Sequence, residues 1–313
     1  MKSLLQTKEW VQFKASRGWK AHEVGFGDDG QSIFVLERKL GIGKTFLYAP
    51  EVSVGEATAS ELTEFIEKAR SLSRTTIFLR LEIFDVKDKG ESATVTALKK
   101  AGFRKAFEET QPEHRQQVDI TQDETTILAN MTEKGRYNVK LANRKGVEVR
   151  FSTDIKDVEV FYDLFRLTGG RNRFSIRSKT YFHDLCTMLF EHGLGELVIA
   201  EYEGQPLTTF IMTYYDGLAN YLYGASSNEH RNVMAPYAAH FEAMRRAKER
   251  SCTVYDLLQV SPPDAKGNHP YSNLTQFKER FGGERVDLVG GWDYVYLPLW
   301  YEAFKLGQKI RRR

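Results

Sequence analysis

An order of segments that occurs twice limits what this 313-residue chain can fold into. In the second half, ELVIAEYEG, PLTTFIMTYYDG and LANYLYGAS are three β-rich runs. The turns between them, Glu203-Gly204 and Asp216-Gly217, suit two-residue hairpins. PYAAHFEAMRRAKER reads as the next helix, with Pro236 in its first turn, where a missing N–H does no harm, and TVYDLLQV as a strand. In the first half, WKAHEVGF, SIFVLERKL and KTFLYAP are punctuated by GDDG and GIGK and form another meander. ATASELTEFIEKARSLS then predicts a helix capped by Thr58 or Ser60, with Leu62, Phe65, Ile66 and Ala69 in one stripe, and TTIFLRLEI a strand. The pattern repeats without residue-level repetition, so the expectation is an α+β protein of two related domains.

Other segments fill in flanking helices. SATVTALKKAGF stops at Gly102. VEVFYDLFRL places Val158, Phe161, Tyr162 and Phe165 at helical spacing, and YFHDLCTMLF does the same with Phe182, Leu185, Cys186 and Leu189. The basic segment from Lys134 to Arg150 lies between the two patterns, so the boundary is expected near QPEHRQQ. The domains then run over 1–112 and 113–291, with the aromatic segment from 292 to 313 returning to complete the first.

A hydrophobic content of 41% is enough for proper cores, and a net charge of +3 is compatible with a phosphate-bearing partner without demanding one. Cys186 and Cys252 give no disulfide framework and no CxxC pair. The N-terminus has no apolar signal region and no window is long enough to span a bilayer, so the expected location is the cytoplasm. His192, His230, His240 and His269 have no metal-ligand spacing, and no metal is expected.

The meander, helix and strand of the second half outline the acyl-coenzyme A acetyltransferase architecture. That fold cradles a pyrophosphate on backbone N–H groups of a glycine-rich loop before its central helix. The corresponding loop here, SSNEHRNVMAP, has no glycine, so a coenzyme A pyrophosphate is poorly provided for and another acyl donor is expected; no cofactor is expected. No GxSxG elbow or Cys-His pair argues for a covalent intermediate.

QTKEWVQFKASRGW, GRYNVKLANRKGVEVR, YGASSNEHRNVMAPY, YDLLQV, LTQFKERFGGE and GGWDYVY, in that order, resemble the Fem family. These are aminoacyltransferases that move an amino acid from aminoacyl-tRNA to the stem peptide of a cell-wall precursor. The resemblance implies two acetyltransferase-like (GNAT-type) domains, each a mixed, largely antiparallel sheet with flanking helices. The chain lacks the heptad run of a coiled-coil arm and is similar to the shorter FemX-like type, whose acceptor can be the UDP-linked rather than the lipid-linked muropeptide. It departs from the family's glycine-proline turn at PEVSVGE. The partners so implied are aminoacyl-tRNA and a muropeptide, with at most a peripheral approach to the membrane.

Residue roles carried by the resemblance are specific. Lys14 matches a lysine on the substrate diphosphate; Arg177 and Tyr181 match the same pocket, where a guanidinium can grip phosphate oxygens bidentately. Glu82 stands where relatives carry an aspartate. Tyr223 and Tyr237 match aromatic channel positions, beside Tyr221 on one strand face. Lys278, with Phe277 in the FK motif, matches the lysine beside the reacting carbonyl, where an ammonium stabilises the oxyanion formed when an amine attacks the ester. On periodicity alone Lys278 shares a helical face with Leu274, Phe277 and Phe281 and could equally snorkel to solvent. Arg136, Lys140 and Arg144, at i, i+4 and i+8, form a cationic stripe that with the Arg311–Arg313 tail is a candidate tRNA contact. The competing readings are an N-acyltransferase using another activated donor and amine, and a non-catalytic binding module.

Overall fold

A computed structural model describes residues 1–27, 30–87, 92–172, 176–265, 267 and 269–311, with Asn172 and Arg311 by their backbone alone. The tail at 312–313 and the Arg311 side chain therefore lie outside the described residues. The chain divides into two compact units: residues 2–113 with 287–313, and residues 114–286 with Met1.

In the first unit α1 (Lys8–Ser16) leads into β1 (Lys20–Phe26), β2 (Gln31–Lys39) and β3 (Thr45–Val52), then α2 (Ala59–Leu72), β4 (Thr76–Val86), α3 (Ala93–Lys100) and β5 (Arg104–Lys105). The second unit contains β6 (His114–Asp119), α4 (Glu124–Asn130), α5 (Glu133–Arg144), β7 (Glu148–Ser152), α6 (Asp157–Asn172), α7 (Lys179–Glu191), β8 (Gly195–Tyr202), β9 (Gln205–Tyr215), β10 (Leu218–Ser226), α8 (Ala235–Glu249), β11 (Val254–Gln259) and α9 (Ser272–Glu279). β12 (Glu284–Val295) from residue 287 onward and α10 (Pro298–Arg311) return to the first unit.

The expected meanders form. β1, β2 and β3 pair antiparallel, and β3 pairs β4 in parallel across the α2 crossover. Thr58 and Glu61 close a capping box at the start of α2, and its stripe Leu62, Phe65, Ile66 and Ala69 is buried against Val24, Leu47 and Leu81. β12 pairs antiparallel with β4 and β5. The Arg80 guanidinium bridges both oxygens of Asp293 (2.7 and 2.8 Å), and the Tyr301 hydroxyl of α10 donates to the same carboxylate at 2.6 Å.

In the second unit β8, β9 and β10 pair antiparallel. Glu203-Gly204 and Asp216-Gly217 take positive φ at both positions, as two-residue hairpin turns with matching twist require. Ala238, Ala239, Ala243 and Ala247 of α8 are buried in the core that also holds Val198, Phe210 and Tyr255. The core stripes of α6 and α7 meet through Phe161, Phe165 and Phe182.

Four strands were not foreseen: β6, β7, the two-residue β5, and β12, which runs into the segment read only as returning to the first domain. β6 lies in the stretch read as a boundary and pairs antiparallel with β11. HRQQVD has one apolar residue, and its strand character comes from partners that sequence alone does not display. β7 extends the second meander to four strands through β8, its Arg150 paired with Asp157 and Glu201.

The buried face of α9 also differs. The helix ends at Glu279, so Phe281 lies in the turn beyond it, and the deepest side chains of the helix are Thr275 and Lys278 rather than Leu274 and Phe277. Thr275 accepts from the Ser261 backbone N–H at 2.8 Å, which holds that face inward.

Candidate active site

The site is built where two strands part. β10 and β11 pair in parallel only from Leu218–Val254 to Asn220–Asp256, although β10 continues to Ser226 and β11 to Gln259. Each strand is irregular at the parting. β10 shifts register between Tyr221 and Tyr223, and the Tyr221 hydroxyl lies where a Cβ on Gly224 would stand, only 1.8 Å from it. β11 shifts between Asp256 and Gln259, and Leu258 takes φ +58°. For a side-chain-bearing residue that conformation costs about 1–2 kcal/mol. It is offset by Asp256, whose Oδ1 accepts from the Leu258 N–H at 2.7 Å. The other oxygen of Asp256 accepts from Arg115 Nη1 at 3.2 Å and Gln117 Nε2 at 3.0 Å.

Lys278 reaches into this fork. Its Nζ donates to the Gln259 carbonyl at 2.7 Å and lies 5.7 Å from the centre of the Tyr221 ring. The side chain is only 3% exposed, so it does not snorkel. Burial pushes its ammonium down to about 7, opposed by nearby Asp256 and reinforced by Arg115. His240 stacks against Phe210, packs tilted against Phe281 and lies 2.8 Å, Nδ1 to hydroxyl, from Tyr255. Burial, and then the charge on Lys278, hold the imidazole neutral, pushed down to about 3. Gly282 and Gly283 fix α9 in place: both have positive φ, and a Cβ on Gly283 would stand 1.9 Å from the Gln117 carbonyl.

Beside the fork lies a cavity of about 500 Å³, open to solvent. Its charged lining is Lys134, Arg231 and Arg280 against one carboxylate, Glu229, and its aromatic wall is Tyr237 and Phe277. Arg280 Nη1 donates to the Tyr237 hydroxyl at 2.6 Å, and Tyr237 packs edge-on against Phe277. The N-terminus of α8 also lines it, with no side-chain cap at Met234. The loop before α8 forms a 3₁₀ turn, Arg231–Val233, between left-handed His230 and Met234. The Thr208 hydroxyl on the cavity wall is buried and has no hydrogen-bond partner among the described residues. Lys278 is not among the lining residues; its neighbour Phe277 is.

The other candidates fall in separate places. Arg177 lies 4.6 Å over the Tyr181 ring and beside the Tyr223 hydroxyl, and Tyr223 packs edge-on against Phe165 and Phe182. These three are thus one cluster of the second unit. In the first unit Lys14 and Arg38 both stand over the Trp19 ring, at 5.0 and 5.2 Å. Glu82 is buried; it accepts from the Tyr48 hydroxyl and, at 3.0 Å each, from the Thr110 and Gln111 N–H groups. Burial raises its carboxyl above the ordinary value despite those donors. Along α5, Lys140 and Arg144 are exposed, but Arg136 turns back to the Ala129 carbonyl at 2.8 Å and to that of Met131.

Sequence reasoning missed Arg115, Asp256 and His240. A carboxylate in the apolar strand VYDLLQ was a readable signal, since a charge at a buried strand position needs a partner.

The FemAB family model matches residues 1–205 and 193–309. Among curated proteins, the lipid II:glycine glycyltransferase of Staphylococcus epidermidis is 23% identical over 385 residues, covering 99% of this chain and 92% of that one. That of Staphylococcus aureus is 23% identical over 402 residues, covering 99% and 95%. Among solved structures, the crystal structure of FemX has a TM-score of 0.86 at 21% identity, covering 96% of this chain and 94% of that one.

Proposed function

Because the chain belongs to the FemAB family, we propose that it is an aminoacyltransferase of peptidoglycan-bridge synthesis that takes its amino acid from aminoacyl-tRNA. The acceptor is an amine on the stem peptide of a cell-wall precursor, in the lipid-linked form that the glycyltransferase relatives are named for or its UDP-linked counterpart. The observation that carries this reading is Lys278: a buried ammonium held at a strand fork by a carbonyl, next to a cation-lined cavity.

The chemistry follows from an ester that is already activated. The acceptor nitrogen attacks the aminoacyl carbonyl carbon and the carbonyl oxygen becomes an oxyanion. The carbon–oxygen bond to the ribose then breaks, an amide forms, and the proton lost by the amine ends on the released ribose hydroxyl. In this reading Lys278 turns from the Gln259 carbonyl to the oxyanion, an interaction worth roughly 3 kcal/mol in the transition state. Lys134, Arg231 and the α8 N-terminus receive the terminal nucleotide, with Tyr237, Phe277 and Arg280 forming its wall. Arg177, Tyr181 and Tyr223 form the muropeptide-binding cluster of the second unit; Lys14 and Glu82 are the separate substrate-binding candidates of the first, Glu82 lying beneath the surface. Lys140 and Arg144 meet the tRNA backbone further out, where contacts are charge-driven.

The test is a transfer assay with mixed charged tRNAs and both acceptor forms. Transfer should occur with at least one acceptor and fall at least about a hundredfold in Lys278→Ala. Absence of transfer to both, together with absence of binding to both substrates, would overturn the reading.

A further inference from the structure

α10 has two apolar faces, and the core uses one. Tyr301 and Phe304 pack on Phe78 and Phe107. Leu299, Ala303, Leu306 and Ile310, at i, i+4, i+7 and i+11, form a second stripe along the helix. Leu299 is 88% exposed, Leu306 61% and Ile310 64%, in a chain whose other large apolar side chains are mostly interior. Scattered exposed leucines mean little, but a continuous stripe on a helix whose opposite face is already packed does.

The rim of the stripe carries three lysines against one carboxylate, Glu302. Lys309 and Lys305 lie along one side, the latter also paired with Glu302 at 3.0 Å. On the other side Trp300 is partly exposed, with Lys44 Nζ 5.2 Å over its ring. Lys44 closes the β2–β3 turn, whose tip carries Ile42, 58% exposed. The hydrophobic residue at the turn tip thus adjoins those on the helix through a Trp–Lys pair, and the sequence continues after Ile310 with three arginines.

We propose that this face of α10, with the Ile42 turn, docks on an anionic phospholipid surface. An apolar stripe flanked by lysines and a tryptophan matches the interface, where the ring and ammonium sit at headgroup level and the aliphatic chains enter below them. No helix among the described residues is long and apolar enough to cross a membrane, so the helix would lie in the plane. A second copy of the chain fits less well, because pairing two such faces would juxtapose rims on which lysines outnumber the single carboxylate of Glu302. Docking would bring the enzyme to a lipid-linked acceptor; only that purpose, and not the docking itself, rests on the function proposed above.

The test uses the full chain without substrates, sedimented with phosphatidylglycerol–phosphatidylcholine vesicles and with phosphatidylcholine vesicles alone. The expected result is salt-sensitive binding to the anionic vesicles only, reduced roughly tenfold or more in Leu306→Gln/Ile310→Gln. That variant should keep transfer to the water-soluble UDP-linked acceptor, and its sedimentation velocity should match that of the parent. The proposal is overturned by absence of anionic-vesicle binding at low salt, by undiminished binding of the variant, or by a parent dimer that the variant dissociates without vesicle binding by either. Vesicle binding without transfer to either acceptor would sustain the docking and count against the enzymatic reading instead.

Discussion

Replacing Lys278 by methionine should make the protein more stable and inactive, with a dependence on pH that the burial of the ammonium dictates. Burial pushes the native ammonium down to about 7 from an ordinary 10.5, because it removes water that the Gln259 carbonyl and nearby Asp256 do not fully replace. Between those values the unfolded chain holds a proton that the native chain has released, so the lysine's penalty shrinks as pH rises. With these two values the penalty is about 5 kcal/mol at pH 6 and about 2 kcal/mol at pH 9. The stability gained by Lys278→Met should therefore be about 3 kcal/mol larger at pH 6 than at pH 9. Loss of the bond to Gln259 lowers the gain at every pH by about 1–3 kcal/mol and cancels in that difference. Urea unfolding of both proteins at both pH values, following the transition that differs between them, measures it. A difference that stays flat from pH 6 to 9 would refute the burial argument, and a variant with undiminished transfer would refute the oxyanion role.

Three further outcomes are expected. Asp256→Asn removes the charge opposite Arg115 and should destabilise the protein by about 3–5 kcal/mol, read by denaturant unfolding. Gly283→Ala meets both a positive φ and the Gln117 carbonyl, and should lower stability by more than about 2 kcal/mol, whereas Gly146→Ala, with open space around it, should cost only its φ strain. Arg231→Gln and Lys134→Gln should each weaken tRNA binding and reduce the slope of log affinity against log salt by about one unit, as measured by filter binding.

The meanders and their helices were legible because their signals are local: alternation, hairpin dipeptides, and a 3.6-residue stripe ending in a cap. β6 was illegible because its stability is non-local. Arg115 and Gln117 acquire meaning only when Asp256, far along the chain, lies opposite them. The lysine's identity as the odd residue on α9 was legible, but its depth was not. Periodicity assigned the inner face to Leu274 and Phe277, while the Ser261–Thr275 bond and two glycines rotate Thr275 and Lys278 inward. The loop before α8 lacks glycine yet uses left-handed backbone at His230 and Met234, a conformation that histidine favours mildly and methionine does not advertise.

The parting of β10 from β11 has a mechanical consequence. From Tyr221 onward β10 has a ladder neighbour on one side only, so its backbone there is less constrained than that of β8 or β9, which are paired along both edges. A substrate lying in the fork would act as the missing rung. At the proposed site the free protein is then softer than in β8 and β9, and occupancy would stiffen that part of the sheet, visible as slowed amide exchange around Gly224 when the fork is filled.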